Sequence, residues 1–291
     1  MYTSAAVAGL SLIAAVSARC TRELLVGATE TYVAAQSSGN STAVSSMSVG
    51  NLTYTENEQP VDIHKGVLTT PIKIDFNRSV HDTVNCASFT EIIAASDPHP
   101  YVIGTRILYT DSHQIKLIES IVTDEGDWLF NATGYRYWNS LENWDPIPEE
   151  LRDSRETIQA AGDAYFNRFM NASVQVPFGV PCSRLEGGAS TAPLNLTGDS
   201  CTAAGMPSTI VVTNRRYVVD EVMGVVDMFL GFPGLDRTVP DQHMPDSHMF
   251  RVESGKIRYI HTISSCVAPG CGLNTTILTP PTRSRLIRRH L

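Results

Sequence analysis

Ile115-Lys-Leu-Ile-Glu-Ser-Ile121 and Ile257-Arg-Tyr-Ile-His-Thr-Ile263 repeat one pattern of apolar and polar positions, and their pairing decides the fold. Both are rich in β-branched residues, so both read as strands. Upstream, Ala28-Thr-Glu-Thr-Tyr-Val33 is echoed by Ala161-Gly-Asp-Ala-Tyr-Phe166. The two matches run in the same order at nearly the same offset, the mark of a duplicated unit. Each copy is expected to open with an amphipathic helix and to close with a strand.

Working outward, Arg22–Ala35 has helical apolar spacing at Leu25, Thr29, Tyr32 and Val33, and Ser41–Val49 reads as a second short helix. Strands are expected at Ile72–Val80, Val84–Ala94, Tyr101–Thr110 and Gln114–Thr123. In the second copy a helix is expected over Glu149–Met170, then an irregular loop, Val176–Pro207, and strands at Thr209–Val219, Val222–Phe232, Ser247–Glu253 and Lys256–Ser264. Helices followed by a long antiparallel meander make an α+β order. The expected domains are residues 19–145 and 146–277, with 278–291 a disordered basic tail carrying Arg283, Arg285, Arg288 and Arg289.

The chain has 291 residues, enough for two cores. Apolar residues at 42% and charged residues at 18% exclude a wholly disordered chain. A formal net charge of −8 argues against nucleic acid as a partner. Ala5 to Val16 is apolar but too short to span a bilayer, and Val16-Ser-Ala18 offers small residues for cleavage, so residues 1–18 read as a signal peptide without a basic start. Seven sequons, at Asn40, Asn51, Asn77, Asn131, Asn171, Asn195 and Asn274, agree with passage through an oxidising secretory lumen. The expected location is outside the cell or in that lumen, with no membrane span. The six cysteines allow fifteen connectivities. Proximity favours Cys20 with Cys86, Cys182 with Cys201, and Cys266 with Cys271. No CxxC occurs, and Cys266 to Cys271 has no neighbouring His, which disfavours zinc.

Three motifs carry a resemblance: Pro181-Cys-Ser-Arg-Leu-Glu-Gly-Gly188, Asn214-Arg-Arg-Tyr-Val-Val-Asp-Glu221, and the run from Asp246 to Thr262. They resemble a family of secreted fungal proteins with halves of the NTF2-like, SnoaL-like kind, most without an assigned role. Some members are similar to hetero-Diels–Alderases of tropolone–sesquiterpenoid (meroterpenoid) pathways. The resemblance implies tandem cones, each an opening helix packed in a curved antiparallel sheet with a pocket in its mouth. It also implies a cofactor-independent cyclase or pericyclase joining an ortho-quinone methide to a humulene-type polyene terpene.

The last hairpin offers the best-defined local geometry. Ser254-Gly255 suits a two-residue turn, which pairs Glu253 with Lys256. Counting outward places Val252 opposite Ile257, Phe250 opposite Tyr259, and His248 opposite His261, so that His248, Phe250, Tyr259 and His261 share a face. Arg251 and Arg258 fall on the other face, to be neutralised by acids such as Glu253 or Asp220. The same count in the first copy pairs Arg106 with Glu119, an ion pair where the second copy has two imidazoles. His261, His248 and Tyr259 are therefore the catalytic candidates, since imidazole titrates nearest neutral pH. The alternative is that both imidazoles are satisfied residues on a sheet. Phe250, Tyr217, Arg216 and Trp138 are candidate substrate contacts. Arg216, Tyr217, Asp220 and Glu221 read more readily as an ion-pair network with Arg251 and Arg258, joined by Arg184-Leu-Glu186.

A metal is disfavoured, because Asp246 is the only convenient carboxylate beside the two His. No Gly-x-Ser-x-Gly, phosphate-binding loop or His-Glu-x-x-His occurs. Glu149-Glu150 sits at a helix start, where it complements the dipole. Trp128, Tyr135, Tyr137, Trp138 and Trp144 are expected to pack between the halves. No cofactor is expected. The expected partners are small hydrophobic substrates, with a homodimer left open. The other reading is a secreted binding protein or effector without turnover.

Overall fold

The computed structural model describes residues 20–192, 201–204, 206–233 and 243–267. The expected leader 1–18, the tail 278–291, Asn195, Asn274 and Cys271 lie outside them.

The first half starts with helix α1 (Arg22–Ser38), whose N-cap Thr21 accepts a hydrogen bond from Leu24 N. Gly39, in the left-handed region at φ 68°, ends it. Helix α2 (Ser41–Ser45) is short and is followed by strand β1 (Ser48–Glu56), so the expected helix to Val49 ends early. Strands β2 (Gln59–Pro60), β3 (Phe76–Asp82), β4 (Ala87–Ala94), β5 (Tyr101–Tyr109) and β6 (Ile115–Thr123) complete a sheet in the order β2-β1-β6-β5-β4-β3. Helix α3 (Ala132–Asn139) bridges the halves.

Glu149–Leu151 forms a separate 3-10 turn, and α4 (Arg155–Met170) starts only after its N-cap Ser154 accepts from Thr157 N. The expected irregular loop contains two strands, β7 (Phe178–Glu186) and β8 (Ala189–Ser190). With β9 (Thr213–Asp220), β10 (Val225–Pro233), β11 (His243–Glu253) and β12 (Lys256–Ser264), they form a second sheet ordered β8-β7-β12-β11-β10-β9. The two orders are the same, down to the parallel pairs β1 with β6 and β7 with β12. The protein is α+β, with two six-stranded sheets of one topology.

One face of each sheet packs on its own helix. Leu25, Ala28 and Tyr32 of α1 meet Ile92, Ile103 and Ile107 in the first core. Ile158, Tyr165 and Phe166 of α4 meet Val226, Met228 and Phe250 in the second. Gly162 permits the close approach of α4, because a Cβ there would lie 2.7 Å from Met228 Sδ and 3.1 Å from Val226. A third core joins the other faces of the two sheets and includes Phe89, Ile121, Phe229, Met249 and Ile263. Three residues of the aromatic segment, Tyr135, Trp138 and Trp144, are buried in this core as expected, whereas Tyr137 is exposed and Trp128 is not part of it. Each large apolar side chain so buried contributes roughly 1.5–3 kcal/mol against chain entropy.

Two disulfides follow the expected pairing. Cys20–Cys86 (Cα–Cα 5.3 Å) ties α1 to the first sheet, and Cys182–Cys201 (5.4 Å) ties β7 to the chain before β9. Such bridges fit proteins folded in an oxidising compartment. No helix among the described residues is long and apolar enough to cross a membrane.

The last hairpin departs from the simple count. Glu253 faces Lys256 and Val252 faces Ile257, but Arg258 is then bulged out and Arg251 faces Tyr259. From there Phe250 faces Ile260, Met249 faces His261, and His248 faces Thr262. A single extra residue thus puts His248 and His261 on opposite faces of the sheet. Lys116 takes the equivalent place in the first half, where Leu108 faces Leu117 and Tyr109 faces Ile115. The structural counterpart of His248 is therefore Thr105, not Arg106; the pairing of Arg106 with Glu119 is present as expected.

Candidate functional site

The bulge creates two separate histidine environments. His261 points into the core between the sheets. Its Nδ1 lies 2.8 Å from Glu91 of β4, and its Nε2 lies 2.5 Å from Glu142, which follows α3. Glu91 also receives Tyr135 OH (2.8 Å), Asn139 Nδ2 (2.8 Å) and Arg78 Nη1 (3.0 Å). Trp144 Nε1 donates to Glu142 at 2.9 Å, and the Arg78 guanidinium lies 4.1 Å from the centre of a Trp144 ring. Burial opposes charge on the imidazole, but Glu142 and Glu91 outweigh it and push His261 up to about 9. Burial would raise Glu91, yet His261, Arg78 and Tyr135 hold it down at about 2. His261 is consequently an imidazolium clamped by two carboxylates, with neither ring nitrogen left to act as a base at neutral pH.

Tyr259 shares that face and stacks at a tilt on Trp144, 5.5 Å between centroids, while its hydroxyl accepts from Asn143 N at 3.3 Å. Trp138 is also in the inter-sheet core. Arg216 bridges the halves, pairing with Glu58 (3.1 Å) and Glu119 (3.0 Å). Glu253 neutralises both Arg251 and Arg258, as expected, but Asp220 pairs with Arg22, so the wider network joining Arg216 and Asp220 to Arg251 and Arg258 does not form. Asp227 is buried and accepts from Ser247 Oγ at 2.6 Å, and burial pushes its carboxyl well up.

His248 points the other way, toward α4. Its Nδ1 bonds the Asp246 carboxylate two residues away on the same strand, and Ser264 Oγ on β12 donates to the other oxygen of Asp246. Phe166, Tyr165 and Phe250 surround the ring, with centroids 4.9, 5.7 and 6.0 Å away. The pairing of β12 with β7 sets Arg184 beside Ile260 and Glu186 beside Thr262 on this same face. Arg184 Nη1 reaches Tyr165 OH at 3.5 Å and its Nε pairs with Glu186 at 3.3 Å. Thr262 Oγ1 is buried without a partner. Phe250 and Tyr217 lie on this face too, Tyr217 donating to Asp163 at 2.9 Å.

Register makes the two interiors directly comparable. Tyr54 and Glu56 of β1 occupy the places of Arg184 and Glu186, and Thr105 and Ser120 those of His248 and Thr262. In the first half Tyr32 OH bonds Thr105 Oγ1 (2.7 Å), Thr105 bonds Ser120 (2.9 Å), and Tyr54 OH donates to Glu56. That chain of hydroxyls is closed on itself. The second interior replaces it with a carboxylate–imidazole pair and a guanidinium under an aromatic wall. Sequence reasoning named His248 but missed Asp246 as its orienting partner, and it missed Glu91 and Glu142 altogether. Glu91 had a signal: it is the one charged residue of the strand Ala87–Ala94, every residue of which, Glu91 included, is buried.

Residues 151–264, from the turn before α4 to the end of β12, match a family described as Domain of unknown function (DUF8021). No curated protein is significantly similar to the chain. Among solved structures, the chain is similar to PrhC from Penicillium brasilianum NBRC 6234 at 13% identity. That match covers 35% of this chain and 82% of PrhC, with a TM-score of 0.26.

Proposed function

We propose that this chain is a secreted, cofactor-independent enzyme that holds a small hydrophobic substrate in its second half, with His248 as its acid–base group. Its two copies divide at residues 145/146, and each is a divergent NTF2-like unit. The observation that carries the reading is the Asp246–His248 pair beneath Phe166 and Phe250, at a place where the first half has only Thr105. Asp246 holds Nδ1–H, so Nε2 carries the lone pair that accepts or returns a proton.

The reaction class is the one that the sequence resemblance implies, an inverse-demand hetero-Diels–Alder closure. His248 takes the ring hydroxyl proton of a hydroxymethyl tropolone and returns a proton to the departing hydroxide, so that one water leaves and the quinone methide forms. The aromatic wall holds the polyene alkene against it, which removes much of the entropic cost. Arg184 and Tyr165 supply hydrogen bonds to the oxygen where charge develops. His261 is assigned a structural role, because both of its nitrogens are bonded to carboxylates.

The test incubates the purified chain with a quinone methide precursor and humulene and reads products by chiral chromatography. Rate acceleration with one dominant diastereomer supports the reading; a rate and ratio equal to the protein-free control refute it. The second reading is a secreted binding protein without turnover, favoured by the mutual satisfaction of Asp246, His248 and Ser264. Saturable binding of the same substrates with no product would establish it instead.

A further inference from the structure

A groove of about 550 Å³ runs between α1 and β3, with neither His248 nor His261 in its lining. One wall is the stripe Val26, Glu30, Val33 and Ser37, at helical spacing along α1. The other is Ile74 with Asn77, Ser79 and His81, alternate residues of β3. Grooves of this size take small organic groups. The mixture of apolar and hydroxylated walls suits a sugar ring, which has an apolar face and a polar rim.

His81 is a buried member of that wall. Thr29 Oγ1 gives its only proton to Val26 O at 2.9 Å, so the 3.1 Å contact with His81 Nε2 must be Nε2–H donating to Thr29. Burial, aided by Arg22 and opposed by Asp220, pushes His81 down to about 4, so the ring is neutral in a secretory lumen. Nδ1 is then an acceptor, and it is buried with no partner. That atom is closed off from solvent, so the polar groups open to a sugar in the groove are those of the exposed Glu30 and Ser37.

Asn77 is exposed in this groove and begins the sequon Asn77-Arg-Ser79. It also lies on β3, the edge strand of its sheet. The other half covers only the far end of that edge, where His81 N donates to Asp220. A bulky group near Phe76–Ser79 would blunt the rest against pairing with another chain.

We propose that Asn77 carries an N-linked glycan whose first sugar lies in the α1–β3 groove and braces α1 against the edge strand. The inference rests on the secretory reading given above. Transfer from a lipid pyrophosphate-linked oligosaccharide forms the bond from Asn77 Nδ2 to the anomeric carbon. The bond from that carbon to the pyrophosphate oxygen breaks, and the amide proton leaves. It precedes folding, because in the folded chain Ser79 Oγ is bonded to Thr90 at 2.9 Å.

The test expresses the full chain in a eukaryotic secretory host and maps each sequon by enzymatic deglycosylation in heavy-oxygen water with peptide mass spectrometry. Occupied Asn77 is expected. Trimming the native glycan to its first sugar should leave Tm unchanged, whereas removing that sugar should lower Tm by about 2–4 °C. Amide exchange in α1 and β3 should quicken at the same step. Asn77→Gln and Ser79→Ala should each reproduce the fully deglycosylated behaviour, so the test survives misfolding of one of them. A bare Asn77 in a chain glycosylated at Asn40, Asn51 or Asn171 overturns this proposal alone. So does loss of the first sugar without change in Tm or exchange. A secreted-host chain with no sequon occupied overturns the secretory reading and the proposal together.

Discussion

Arg22, the first residue of α1, makes a two-pronged ion pair with Asp220, the last residue of β9 in the other half, at 2.8 and 2.9 Å. Arg155, the first residue of α4, makes the mirror pair with Asp82, the last residue of β3, at 2.7 and 2.5 Å. Each carboxylate also accepts a backbone N–H from the opposite half, His81 N on Asp220 and Val219 N on Asp82. The halves therefore clasp each other through one contact made twice, as the subunits of a symmetric dimer do.

Removing either carboxylate should be costly, because it strands a half-buried guanidinium and several N–H groups. Asp220→Ala and Asp82→Ala are each expected to lose about 3 kcal/mol or more, measured by urea unfolding. A loss under 0.5 kcal/mol in both would show that the clasp is ornamental.

His261 makes stability depend on pH in a defined window. Its folded value, about 9, lies above the ordinary imidazole value of 6.5. Its contribution is therefore complete below about 6.5 and is lost as pH rises through 9. The wild type should lose of order 3 kcal/mol relative to His261→Gln between neutral pH and about 10. Glu91, held down at about 2, acts in the other direction: its contribution is complete above about 4.5 and is lost as pH falls through about 2. Parallel melting curves for wild type and His261→Gln across the alkaline window would contradict the clamp.

His248 should behave as a reacting group and Asp246 as its positioning partner. His248→Ala is expected to lower turnover by about 100-fold or more with the fold intact by circular dichroism. Asp246→Asn should lower kcat with KM little changed, since it removes the carboxylate acceptor that orients the imidazole. An unchanged kcat would assign Asp246 to packing alone.

Among the described sequons, Asn131 should remain unmodified. Its Oδ1 caps α3 by accepting Gly134 N at 2.9 Å, and its backbone N donates to Gly187 O at 2.6 Å. The Gly187–Gly188 turn presses so close that a Cβ on Gly188 would lie 2.3 Å from Asn131 O. Asn40, Asn51, Asn77 and Asn171 are exposed. A glycopeptide at Asn131 in intact, folded chain would contradict this packing.

Much of the scaffold was legible because it is written in local patterns. The strand Lys256–Ser264, the Arg106–Glu119 pair and two cysteine pairs follow from alternation, turn chemistry and proximity. The repeat implied two like halves, and the sheet orders agree. The bulge at Arg258 was not legible. A long charged side chain fits a strand as well as a bulge, so nothing in the alternation marks the slip. That one residue decides which partners each imidazole meets. Strand β7 was hidden because Pro181, Cys182 and Gly179 imitate loop composition, although the segment is a parallel partner of β12. Glu142 lies 119 residues from His261 in sequence, a distance no local pattern spans.

The central claim is that chemistry resides at His248 in the second half. Its most direct measurement is the single-turnover rate of adduct formation by wild type and His248→Ala at matched folding and saturating substrate. The account predicts an enzyme-dependent rate for wild type, at one dominant diastereomer, that falls about 100-fold in the variant. Equal rates and equal diastereomer ratios in the two proteins would contradict it.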